Sequence, residues 1–185
     1  MRTISKLVLL AGFALIVGFY AKSQDNHKLN NSKMEGEMNT LQSPEKNKET
    51  VRNLYEKILN ERKLALLDRI ISEDYTGIQG EKGVAGFAGT VNSVISGFPD
   101  IKWTVEDLIA EGDKVVIRWT WTGTNTGTLL GLAPSNKHVT NHAIAIYQFK
   151  NDKIVHAWMQ SDRLGVLQQV GVISADAVPS PATAK

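Results

Sequence analysis

The chain has 185 residues, 42% of them hydrophobic and 22% charged, and it contains no cysteine. This is the composition of a globular protein with one sizeable core, and it excludes disulfides, thiolate metal sites and lipid attachment through cysteine. The formal charge of +2 gathers into no basic patch, so nucleic acid is excluded as a partner.

Residues 1–23 read as a secretory signal peptide. Arg2 and Lys6 precede an apolar run over 7–20, and Ala21-Lys22-Ser23 has the small-x-small form of a cleavage site. The expectation is export to the periplasm or the extracellular space, with no membrane contact once the peptide is removed. An uncleaved N-terminal anchor is the alternative. Cleavage removes three basic side chains and no acids, leaving 18 basic against 19 acidic. Residues 24–43 are polar and aperiodic and read as a flexible linker. The segment 172–185, with Pro179 and Pro181, reads as a disordered tail.

Between them, residues 44–171 form the predicted domain. Ser43-Pro44-Glu45 starts a helix, and Val51, Leu54, Tyr55, Ile58 and Leu59 continue it at amphipathic spacing. A short helix follows over 64–71, then a loop over 73–83. A third helix carries Val84, Phe87, Ala88, Val91, Val94 and Ile95, and Gly97 and Pro99 end it. Leu54, Ile58, Phe87 and Val91 are expected in the core. From Ile101 the period becomes two, with Trp103, Val105, Asp107 and Ile109 on one face. Further strands are expected over 115–124, 138–149 and 153–161, with hairpin turns at Gly112-Asp113 and Asn151-Asp152. A short helix closes the domain. Helices first and antiparallel strands after predict an α+β fold, helices on a curved, mostly antiparallel sheet. The cone-shaped pocket so enclosed suits a small molecule.

Three stretches carry a resemblance: VRNLYEKILNERKLALLDRIISEDY at 51–75, FPDIKWTVEDLIAEGDKVVIRWTWTGTNTG at 98–127 and FKNDKIVHAWMQSDRLGVLQQVG at 149–171. Over residues 48–171 the chain resembles the SnoaL-like polyketide cyclases, or ester cyclases, of the nuclear transport factor 2-like cone fold. The resemblance implies acid/base catalysis without a cofactor, an aldol cyclisation or related step on a small hydrophobic carbonyl compound such as a polyketide. It also implies an acid/base Asp at a position similar to Asp162. Where the family often carries a GTHTG-type segment, this chain has Asn125 in place of the His. Asn125 can hydrogen-bond but cannot shuttle a proton near neutral pH. A non-catalytic ligand-binding or association domain of the same fold is the alternative. Whether like chains associate is left open.

The residues themselves offer both roles for Asp162. Strand alternation places Ile154, His156, Trp158, Gln160 and Asp162 on one face, where Trp158 and Gln160 would line a substrate site and a poorly hydrated Asp162 would serve as base. Equally, Asp is a favoured helix N-cap, and Asp162 stands just before the final helix. A two-residue turn at Asn151-Asp152 pairs Asn141 with Asp162 and turns His142 to the other face. One bulge would instead set His142 beside Asp162 as a catalytic partner. Asn125 and Trp121 complete the candidate substrate contacts, although strand tryptophans also serve as core. His138 and His142 would lie ~13 Å apart on a strand, so no metal site is expected.

Overall fold

The computed structural model describes residue 28, residues 44–129 and residues 131–177. Residues 1–23, most of the 24–43 linker, and 178–185 lie outside the described residues. Among the described residues no helix is long and apolar enough to cross a membrane.

Helix α1 spans 44–53 and continues as a π-helical turn, Leu54–Leu59. Its stripe buries Val51, Leu54, Tyr55, Ile58 and Leu59. Asn60 then fastens it to the sheet: its side chain donates to the Trp103 carbonyl at 2.8 Å and accepts from the Trp103 amide at 2.8 Å. A short 3-10 turn, Leu64–Leu66, leads into α2, Leu67–Ile70.

The segment expected as a loop holds a strand, β1, over Ile71–Thr76. β1 runs parallel to β5, Lys153–Ser161. The polar run Ser72-Glu73-Asp74 conceals it, because an edge strand places such residues in solvent while Ile71 and Tyr75 face the core. Helix α3 follows over Gly83–Gly97. Then come β2, Lys102–Glu111, β3, Lys114–Thr124, and β4, His138–Lys150. The sheet order is β1-β5-β4-β3-β2, antiparallel apart from the β1–β5 pair. The final helix α4 spans Arg163–Val170 and ends on Gly171, whose φ of 88° suits a left-handed cap.

Two bulges decide which side chains face inward. One, between Val105 and Asp107, shifts the alternation of β2 by one residue. Trp103 is buried, but Asp107 points to Arg118 and Ile109 is 66% exposed. The other, between Gln148 and Phe149, pairs Gln148 with His156 while Phe149 pairs with Ile154. The face proposed for Ile154 to Asp162 is therefore split. Ile154 is buried in the core, whereas Trp158 and Gln160 point outward. The tight turn between β4 and β5 has Asn151 and Asp152 both at positive φ, as a type I′ turn requires.

The inner face carries Trp103, Ile117, Trp119, Trp121, Ala145 and Tyr147, all buried beneath α1 and α3. Leu54, Ile58, Phe87 and Val91 all lie in this core.

Candidate functional site

An inner cavity of about 120 Å³ lies between α1, α3 and the inner face of the sheet. Its walls are apolar, with Leu59, Phe87, Val91, Trp121 and Met159 among them. Ile78, 51% exposed, together with Glu81 and Thr90, marks the end nearer solvent. Tyr55, Trp119 and Tyr147, each under 5% exposed, mark the deep end.

The deep end is polar in a specific way. The Tyr55 and Tyr147 hydroxyls are 2.7 Å apart and share one hydrogen bond. Burial pushes both phenols well above the ordinary tyrosine range; for Tyr55 the hydrogen bond with Tyr147 and the nearby Trp119 N–H act against that rise. The Trp119 indole nitrogen, though near Tyr55, has no partner at hydrogen-bonding geometry among the described residues. At the outer end, Glu81 is the one carboxylate on the wall. It accepts from the Gln79 amide at 2.9 Å. A Cβ at Gly77 would displace the Glu81 carboxylate from its position. Burial, then the nearby Glu81 charge, pushes Tyr75 up to about 12.

A second pocket, about 380 Å³, lies on the opposite face of the sheet. It is larger, but it is an open groove. Arg118 donates to Asp107 at 2.7 Å and also to Glu106, and Thr120 donates to Glu106. His142 Nδ1 lies 2.9 Å from the Thr120 hydroxyl. With the Thr120 hydrogen on the Glu106 carboxylate, the Thr120–His142 bond is donated by Nδ1, and Nε2 is the ring nitrogen this network does not use.

The structure brings His142 and Asp162 together here. The bulge at Val155 in β5 shifts the register so that they face each other, and the Asp162 amide donates to the His142 carbonyl at 3.1 Å. The Asp162 carboxylate is exposed and accepts from the Gly165 amide at 2.7 Å, which caps α4. Gln160 lines the same groove. Trp158, 41% exposed, stands against His156 on the outer face. Trp121 is on the inner side, part of the cavity wall and packed on Phe98.

Asn125 belongs to neither pocket. Only 1% exposed, it donates to the Gly97 and Gly127 carbonyls at 3.0 and 2.9 Å and accepts from the Ser135 amide at 2.9 Å. Its side chain ties the β3–β4 loop to the end of α3.

Sequence reasoning passed over Glu81, Tyr55 and Tyr147 as site residues. One signal was available for the tyrosines: each places a hydroxyl inside an otherwise apolar stripe, where it needs a partner. Glu81 sits in a glycine-rich loop whose path the sequence does not give.

The profile described as SnoaL-like polyketide cyclase matches residues 49–170. Among solved structures, a polyketide cyclase candidate from Acidithiobacillus ferrooxidans is 28% identical, with a TM-score of 0.61, covering 68% of this chain and 94% of its own. TsrD from Streptomyces laurentii is 27% identical, with a TM-score of 0.61, covering 71% and 96%. IdmH from Streptomyces antibioticus, another polyketide cyclase candidate, is 25% identical, with a TM-score of 0.58, covering 68% and 98%. No functionally curated protein matches the sequence. The α+β cone of the nuclear transport factor 2-like fold is thus the architecture of this domain.

Proposed function

This chain belongs to the SnoaL-like polyketide cyclase family, and on that premise we propose that its inner cavity takes up a small hydrophobic carbonyl compound and exchanges a proton with it without a cofactor. One observation carries the reading. The cavity is apolar, with a single carboxylate, Glu81, toward its outer end and hydrogen-bonding groups at its deep end. Such a site can hold a carbonyl by its oxygen while a carboxylate takes a proton from the carbon beside it. If a second carbonyl of the same molecule then receives the carbanion, a ring closes. The volume, on the order of one aromatic ring, favours compact substrates.

The test is deuterium exchange at the α-carbon of a panel of small ketones in heavy water, read by NMR. Glu81→Gln is expected to slow exchange ~100-fold or more while leaving ketone affinity unchanged. Ketone binding without exchange by the unmodified protein would instead identify a binding domain.

A second reading is favoured by the pairing of His142 with Asp162. Thr120 and Glu106 orient the ring, and its unused Nε2 could act as base in the outer groove. In the same assay this reading expects His142→Ala or Asp162→Asn, and not Glu81→Gln, to stop exchange.

Export is proposed on the sequence of residues 1–23 alone. Mass spectrometry of the exported protein should find Gln24 or a close neighbour at the N-terminus; an intact Met1 in the membrane-free fraction would refute it.

A further inference from the structure

The deep end of the inner cavity holds more hydrogen-bond donors than the protein uses. Tyr55 and Tyr147 have two hydroxyl hydrogens between them, and their mutual bond uses one. The other has no acceptor among the described residues. The Trp119 N–H, although near Tyr55, is likewise not at hydrogen-bonding geometry with any partner among the described residues, and the residue is only 4% exposed. Buried donors are ordinarily paired, because leaving one unpaired away from water forfeits its hydration with nothing in return. Here both border the cavity. Deep burial holds both phenols in their neutral, donating form, since ionisation would place a charge in an apolar pocket.

We infer that Tyr55, Tyr147 and Trp119 form a two-donor site for one oxygen acceptor, taking the carbonyl oxygen of a ligand and binding it most tightly when it is anionic, as an enolate or phenolate. This rests on the inner-cavity reading above and adds to it the orientation of the ligand: oxygen inward, with the α-carbon toward Glu81. Hydrogen bonds strengthen when the acceptor becomes charged. The site therefore favours compounds that lose a proton next to a carbonyl over esters or amides of the same shape, which hold theirs more tightly.

The experiment compares p-cresol, whose phenol oxygen imitates an enol, with p-xylene, its oxygen-free isostere. Binding of both to the purified protein is measured by NMR titration. p-Cresol should bind more tightly than p-xylene to the unmodified protein. Tyr55→Phe/Tyr147→Phe, which removes both hydroxyls and keeps both rings, should weaken p-cresol about tenfold and leave p-xylene unchanged or tighter. Trp119→Phe should weaken p-cresol by a smaller factor; if that variant proves unstable, the tyrosine double variant alone decides between the outcomes. Equal affinity for the two probes, with no response to the double variant, would overturn the donor site and leave the cavity reading intact; it would mean that water alone satisfies these groups. Failure of both probes to bind would overturn the cavity reading itself.

Discussion

The two faces of the sheet satisfy their polar groups by opposite means. On the outer face Arg118, Glu106, Asp107, Thr120 and His142 bond to one another in reach of water. On the inner face two tyrosines and a tryptophan sit in an apolar cavity with donors left over. An unpaired donor in water costs little, because water bonds it; the same donor in an apolar wall is destabilising until something accepts from it. The larger pocket is thus the one whose polar groups are already paired, and the smaller one is where donors remain for the proposed oxygen acceptor. On that proposal cavity size alone does not pick the site.

The contrast can be broken most strongly through packing. Leu54→Ala, beneath the inner face, should cost about 2–5 kcal/mol. Ile109→Ala, 66% exposed on the outer face, should stay within about 0.5 kcal/mol. Denaturant unfolding measures both, and similar costs would mean that the faces are not distinguished as described. The next effect needs alkali. Tyr55, Tyr75 and Tyr147 have raised pKa values in the fold because burial disfavours their anions. The unfolded chain loses these protons near 10.0, while Tyr75 holds its own to about 12. The stability linked to them is complete below pH 10 and falls as pH rises through the native values. Thermal melts at rising pH, with tyrosinate absorbance as the second readout, should show ionisation and unfolding together. Free titration of all three phenols in a folded protein would contradict their burial.

Much of this was legible in the residues. The stripe of α1, the five core positions of its burial pattern and the hairpin at Asn151-Asp152 all follow from local rules that the tertiary structure obeys. Two kinds of information were hidden. A bulge is a one-residue event with a weak sequence signature, yet it reverses every side chain beyond it; hence Ile109 reaches solvent, and Trp158 and Gln160 lie on the outer face. The second kind is competition for backbone groups. Asn125 resembles a substrate contact in sequence, but the Gly97 and Gly127 carbonyls take its donors. Gln169, on the final helix, pairs with both the amide and the carbonyl of Thr140, as another strand would. Such partners come from distant parts of the chain and have no local period.

A smaller effect concerns Asp162 in its capping role. Asp162→Ala should cost about 0.5–2 kcal/mol, and Asp162→Asn much less, since Asn also caps well. Equal losses for Ala and Asn would show that charge, not the bond to the Gly165 amide, is what matters there.

The smallest effect tests the outer face directly. Arg118 is 50% exposed and its partners Glu106 and Asp107 are 28% and 61% exposed. Pairs this accessible contribute about 0–1 kcal/mol, because water screens them and long side chains lose freedom in making them. Arg118→Met should therefore cost no more than that. Part of the cost is repulsion between the two adjacent carboxylates it leaves behind, so it should shrink in salt, where the screening length falls to about 3 Å at 1 M. Leu54→Ala, acting through an apolar cavity, should show no such salt relief. A loss of several kcal/mol for Arg118→Met, insensitive to salt, would mean that the cluster is shielded from water. The outer face would then be covered in solution, and the contrast between an open face and a closed one would fail.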